Sequence, residues 1–162
     1  VLLTDTLYGI VARADNEQAV ERIFQIKQRD ANKPPIVLIG DISQLYDPLP
    51  DSIDPTIGGL WPGKNSVILP SPSAPQWLVR GSQGVSYRLP NNPRLQQLLM
   101  ATGPLIAPSA NPQGQSPSRS VGEAEGYFGD QVDFYVDGGV AMDDRPSSLY
   151  TLTGPGDIEQ IR

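Results

Sequence analysis

The chain has 162 residues, with 12 Lys and Arg against 18 Asp and Glu for a formal charge of −6, and it contains neither Cys nor His. That length suits one domain with a real core, and the acidic balance argues against a surface devoted to nucleic-acid backbone. The missing Cys and His exclude a disulfide framework, a thiol nucleophile, a thiolate metal site and a histidine base, so any chemistry rests on charge, orientation and at most an oxygen-bound ion.

The opening VLLTDTLYGI has no basic n-region and no small-residue cleavage site, and no apolar stretch reaches bilayer length, so the chain reads as soluble and cytoplasmic with no membrane partner. It starts directly in an apolar run, which points to a natural start further upstream. Asp15 with Gln18 forms a capping box that predicts a helix, with Ala19, Val20, Ile23, Phe24 and Ile26 as its apolar stripe; it ends near Lys27 and Pro34–Pro35 close it off. Ile36 to Ile39 is a short continuous apolar run, as in a strand buried on both faces. Pro48 to Pro75 is rich in proline but holds Leu60, Trp61 and VILP, so it reads as a folded connection with no domain boundary. Val85 to Leu89 alternates and predicts a half-exposed strand. Asn92 with Pro93 marks a helix start, and Ser120 with Glu123 a second capping box opening a helix through Phe128. DFYVDGG, SSLYTLT and IEQIR read as three late strands. No repeat, heptad or low-complexity tract interrupts this order. The fold class is α/β, a single domain over 1–162 built as a twisted mixed sheet with flanking helices.

Two polar pairs stand out. Lys27 and Arg29, with Lys33 close behind, gather three of the 12 basic residues just ahead of an apolar strand. Ser109 and Asn111 follow a second apolar run, in a loop rich in Pro, Gly and Ser. Residues i and i+2 in extended backbone point to one side, so each pair can aim two polar groups at one ligand. Lys supplies a point charge, Arg a fork for two oxygens, and Ser and Asn neutral hydrogen bonds, which together suit a phosphate or a ribose. The competing reading of Lys27 and Arg29 is a positive helix end set against the macrodipole. For Ser109 and Asn111 it is a plain turn before Pro112.

These residues belong to a longer pattern. TDTLYG at 4–9, KQR at 27–29 followed by Lys33–Pro34, WPG at 61–63, SYRLP at 86–90, PSANPQGQSP from Pro108 and PSS at 146–148 occur in one order. The chain thereby resembles the YrdC family of threonylcarbamoyl-AMP synthases over nearly its whole length, KxR joined to SxN being the family's signature. The resemblance implies a sheet with a concave, positively charged cavity, in which L-threonine, bicarbonate and ATP give threonylcarbamoyl-AMP and pyrophosphate. It further implies delivery to a tRNA threonylcarbamoyl transferase complex that modifies adenosine in tRNA, with tRNA binding by this chain weak or indirect. Magnesium would come with the nucleotide phosphates, with no metal held by protein ligands.

By resemblance, Lys27 and Arg29 are the catalytic pair and hold ATP phosphates and developing carbamate charge, with Lys33 at the edge of the site. Ser109, Asn111, Ser147 and Arg162 fall at nucleotide-binding positions; the plain alternative for Arg162 is a frayed last residue. Thr4, Thr6 and Tyr8 would turn hydroxyls toward threonine and its carbamate, while Asp5 points away on the same strand; an ordinary amphipathic strand is the competing reading. Arg88 would meet the substrate carboxylate, against the alternative of a surface arginine, and Ser148 stands where the family usually has Thr. Three departures accompany the match. WPG is followed by Lys64, Asn65 and Ser66 in place of Pro-x-Thr, Leu3 replaces a proline, and the family's leading helix and strand start are missing upstream. Three alternatives belong to other classes: an RNA-binding module, a carbamoyl-handling domain of the larger carbamoyltransferases, and a catalytically degenerate regulatory or nucleotide-binding module.

Overall fold

The computed structural model describes residues 1–49, 51, 54–142, 145–154 and 157–162. In chain order it forms β1 (Leu2–Leu3), β2 (Tyr8–Gly9), β3 (Ala12–Arg13), α1 (Glu17–Ile26), β4 (Ile36–Leu38), α2 (Asp54–Gly58), β5 (Asn65–Leu69), α3 (Gln76–Val79), β6 (Val85–Arg88), α4 (Pro93–Thr102), β7 (Leu105–Ile106), α5 (Val121–Phe128), β8 (Ser148–Gly154) and β9 (Asp157–Gln160). Seven strands make one mixed sheet in the order β3-β7-β4-β6-β5-β8-β9, and β1 pairs with β2 apart from it. β4 runs parallel to β6 and β5 parallel to β8, while β5 and β6 are antiparallel. The α/β class and the single mixed sheet are as the sequence predicts.

The register sorts side chains onto two faces. Val37 lies opposite Tyr87, and Tyr87 opposite Val67; these three share a core cluster with Val20, Ile23 and Phe24 of α1 and Ala124 and Phe128 of α5. On the other face Ile36 lies opposite Ser86 and Ser86 opposite Ile68, with Leu38 opposite Arg88. Here Leu38 packs with Leu95 and Leu99 of α4 and with Leu105. β6 is therefore buried throughout, and the half-exposed strand predicted for Val85 to Leu89 is corrected. Its alternation is genuine, but the polar side chains face a cavity instead of solvent.

Local chemistry sets the boundaries. Helix α1 is capped by Asn16, whose Oδ1 accepts the Ala19 N–H at 3.0 Å, and not by Asp15, which is paired with Arg13 at the surface. The helix ends in a Schellman turn: Arg29 N–H donates to Phe24 O at 2.9 Å and Gln28 N–H to Gln25 O at 3.0 Å, with Gln28 left-handed at φ 51°. The helix thus stops well ahead of Pro34. Asn92 caps α4 with Pro93 at its first position, and Ser120 caps α5 by accepting from Glu123 N–H, both as predicted.

Two expected strands are absent from these positions. The single strand through Thr4–Tyr8 is replaced by β1 and β2 with a turn between them, closed by Thr4 N–H to Leu7 O at 3.0 Å and Thr4 Oγ1 to Leu7 O at 2.7 Å. Residues 133–139 are not a sheet strand either. Their backbone meets the first residue instead, the Val1 amino group donating to Phe134 O and Val136 N–H to Val1 O, each at 2.9 Å. With Phe134 and Val136 exposed, this segment has no second buried face to hold it in a sheet. SSLYTLT and IEQIR do pair, as β8 and β9. The connection from Pro48 to Pro75 holds α2 and β5, with positions 50, 52 and 53 outside the described residues.

Candidate active site

A cavity of about 390 Å³ opens on the polar face of the sheet. Its floor is Ile36 of β4, Ile68 of β5, and Ser86 and Arg88 of β6; its walls are the Thr4–Gly9 turn, the segment from Arg29 to Pro34, Ala107 to Ser109, Pro146 to Leu149 and Arg162. Sheet register explains the floor, because Ile36, Ser86 and Ile68 are cross-strand neighbours whose side chains must emerge on one face. Of the residues singled out in the sequence, Thr4, Thr6, Tyr8, Arg29, Lys33, Arg88, Ser109, Ser147 and Arg162 line this cavity, and Lys27, Asn111 and Ser148 do not.

Arg88 is a deeply buried cation on the cavity floor. It is 3% exposed and forms an ion pair with Asp5 at 2.9 Å, while a second contact reaches Thr4 Oγ1 at 3.5 Å. Asp5 does not point away as expected, because the Thr4–Leu7 turn folds its carboxylate inward to Arg88. Burial lowers the Arg88 pKa, with Asp5 opposing, and burial raises that of Asp5, with Arg88 opposing. Arg88 Nε, both Asp5 carboxylate oxygens and Ser86 Oγ are buried without a hydrogen-bond partner of good geometry. Buried orphans of this kind are costly, and here they group beside the cavity. Asp5 and Ser86 are functional candidates that motif reading alone passes over. The signal available for Ser86 is its i, i+2 spacing from Arg88 on one strand.

Arg29 is held by the chain it precedes. Its Nε donates to Lys33 O at 3.1 Å and an Nη to Pro34 O at 3.0 Å, and its guanidinium lies 5.5 Å from the centre of the Phe24 ring. Arg80 stacks on the same ring at 3.6 Å, donates to Ala31 O at 3.0 Å and pairs with Glu21. The pKa of Arg29 is lowered first by burial and then by the neighbouring charges of Arg80 and Arg162. Arg162 donates to Ser147 O at 3.3 and 3.2 Å, so the side chain is anchored and does not fray. Lys33 is exposed at the rim.

Hydroxyls occupy the spaces between. Ser147 Oγ lies 2.9 Å from Ser66 Oγ, and Ser66 is fully buried. The residue standing in for the expected threonine of the WPG loop therefore keeps its hydroxyl at work. Gly63 N–H donates to Leu89 O at 2.8 Å and Trp61 Nε1 to Asn65 O at 2.8 Å, which ties this loop to the end of β6. Lys64 is exposed and off the cavity wall. Ser109 Oγ donates to Asn111 Oδ1 at 2.6 Å, and Asn111 Nδ2 donates to Pro112 O at 3.0 Å and Gln115 O at 2.7 Å, so the Asn111 amide shapes its own loop. The Tyr8 hydroxyl donates to Gly139 O at 2.6 Å and accepts from Gly138 N–H at 2.9 Å, so it tethers the 138–139 backbone. Lys27, at the cap of α1, is 2% exposed and donates to Ser109 O and Asn111 O. Its pKa is lowered to about 7, mainly by burial and secondarily by Arg29. Among the described residues no group of three or more acidic side chains is placed to hold a metal ion, and no helix is long and apolar enough to cross a membrane.

A mixed sheet with a cavity on one face, lined by three arginines in a chain without histidine or cysteine, defines the class as an α/β domain with a cation-lined pocket of small-molecule size. The chain belongs to the Sua5/YciO/YrdC family, whose model, described as "Sua5_yciO_yrdC: Telomere recombination", matches residues 1–162. A threonylcarbamoyl-AMP synthase of Marinobacter nauticus is 32% identical over 155 residues, covering 92% of this chain and 82% of the relative. The crystal structure of P. abyssi Sua5 complexed with L-threonine superposes with a TM-score of 0.89 at 30% identity, covering 99% of this chain but only 48% of that one. E. coli YciO matches with a TM-score of 0.84 at 25% identity, over 98% of this chain and 79% of its own.

Proposed function

We propose that the protein is a threonylcarbamoyl-AMP synthase: the L-threonine amine and bicarbonate give a threonine carbamate with loss of water, and a carbamate oxygen attacks the α-phosphorus of ATP, releasing pyrophosphate and leaving a carbamate–AMP mixed anhydride. The observation that carries this reading is the cavity in which Arg29, Arg88 and Arg162 converge with Ser109, Ser147, Thr4 and Thr6. The relatives named threonylcarbamoyl-AMP synthase, and the Sua5 structure with L-threonine bound, support the same chemistry.

Two ends of the cavity take different parts of the reaction. Arg88 Nε and Ser86 Oγ hold the threonine carboxylate, with Asp5 orienting the guanidinium from behind and the Thr4 and Thr6 hydroxyls facing the bound amino acid. Arg29, Arg162 and rim Lys33 hold the triphosphate, and Ser109 and Ser147 supply neutral hydrogen bonds to nucleotide. Magnesium travels with the phosphates and offsets their charge. The protein contributes alignment and anion stabilisation, which suits a site with no histidine or cysteine. The mixed anhydride is then passed to a tRNA threonylcarbamoyl transferase complex, and this chain's charge of −6 keeps its own contact with tRNA weak.

Incubating the protein with ATP, magnesium, bicarbonate and L-threonine, and following pyrophosphate together with threonylcarbamoyl-AMP, tests the reading directly. Threonine-dependent formation of both is expected. A folded sample that makes neither overturns it.

A further inference from the structure

We propose that Lys27 is a positioning residue, a clamp that fixes the 109–115 loop and acts on bound nucleotide through Ser109 without touching phosphate. This rests on the nucleotide reading of the cavity for its effect on binding, though not for the clamp itself. The Lys27 ammonium lies off the cavity wall, 2% exposed, and both of its hydrogen bonds run to loop carbonyls, those of Ser109 and Asn111. The loop answers with backbone: Gln113 N–H donates to Lys27 O at 2.8 Å, and Gln113 Oε1 accepts from Asp30 N–H at 2.8 Å. The end of α1 and the loop after β7 are thereby stitched into one unit from which Arg29 and Ser109 both reach the cavity.

The physical need is specific. Ala110 and Asn111 are buried, in a segment with no ladder partner beyond a single bridge from Ser109 to Gly9. The Ser109 carbonyl accepts from Asn111 N–H at 2.9 Å, and Lys27 gives it a second donor while also meeting the Asn111 carbonyl. A lysine amine on an unbranched stem is a compact donor that can turn N–H groups to two carbonyls at once in a closed space. Charged or neutral, the amine keeps at least two N–H donors, so the clamp holds on either side of its lowered pKa. The charge free to meet phosphate is carried instead by Arg29, Arg162 and Lys33.

The test compares wild type with Lys27→Met, which keeps the stem and removes the donors, and with Lys27→Gln, which keeps donors and serves as the partial rescue and as the folded alternative if Met is not tolerated. Amide exchange of the peptide spanning 107–116, measured without ligand, is expected to accelerate about tenfold or more in Lys27→Met and less in Lys27→Gln, from the loss of two hydrogen bonds. Affinities for ATP, ADP and AMP are expected to fall by the same factor, because the loop acts on the part the three share, while L-threonine affinity is unchanged. Adding Ser109→Ala to Lys27→Met is expected to cost less than in wild type. Unchanged loop exchange, with losses graded ATP over ADP over AMP, would overturn the proposal in favour of a direct phosphate contact. If wild type binds no nucleotide, the reading of the cavity fails while the exchange result still decides the clamp.

Discussion

Replacing Arg88 with Lys separates anion recognition from charge burial. The substitution keeps a cation beside Asp5 but removes the planar fork and the Nε–H, which is buried and unpartnered beside the cavity. If that Nε–H completes its hydrogen bond on the threonine carboxylate, its loss costs about 1.5–3 kcal/mol, the range for a charge-assisted bond. At about 1.4 kcal/mol per factor of ten, the threonine KM rises roughly tenfold to a hundredfold. The KM for ATP stays near wild type if, as proposed, Arg29 and Arg162 hold the triphosphate at the other end. Pyrophosphate release with threonine varied at saturating ATP, and then ATP varied at saturating threonine, reads the two ends independently. Arg88→Ala is the harsher control: it strands the Asp5 carboxylate, 5% exposed at its side chain, and is expected to destabilise the fold by about 3–5 kcal/mol. A wild-type threonine KM in Arg88→Lys, or a loss confined to ATP, would refute the assignment of this end of the cavity to the amino acid.

Lys27 sets a pH dependence of stability. Its pKa falls from 10.5 to about 7 in the folded protein, so between these values the unfolded chain binds a proton that the folded chain does not. Stability therefore rises with pH across that window and is lowest below it; denaturant melts at intervals through the window are expected to show the rise in wild type and not in Lys27→Met. Arg80→Ala removes a guanidinium stacked 3.6 Å over Phe24 and bonded to Ala31 O and Trp77 O, costing about 2–4 kcal/mol in urea unfolding and loosening Arg29, so the KM for ATP rises while that for threonine holds. Gly84→Ala places a Cβ 2.0 Å from Leu69 O, a clash with backbone at the β5–β6 junction; a loss of about 3 kcal/mol or more is expected, and an unchanged melting temperature would show that the strands can part there.

Much of this protein was legible along the chain. The caps at Asn92 and Ser120, the buried run at Ile36, the last two strands and the α/β class follow from local chemistry, because side-chain caps and hydrophobic period act over a few residues. The basic pair ahead of Pro34 and the Ser109 loop stood out as clustered polar groups for the same reason. Other features depended on partners distant in sequence. The alternation of Val85 to Leu89 was plain, but which face met a cavity was decided by the neighbours Ile36 and Ile68 across the sheet. Asp5 looked outward on a presumed straight strand, and only the turn between β1 and β2, held against Arg88, carried it inside. Lys27 and Arg29 share a motif and a spacing, yet the Schellman turn between them sends one to the loop carbonyls and the other to the cavity. Sequence alone determined the kinds of charge and hydroxyl available to the site and the family pattern they form. Tertiary structure decided which of them face the cavity and which hold the others in place, since that depends on long-range register and burial, which spacing does not encode.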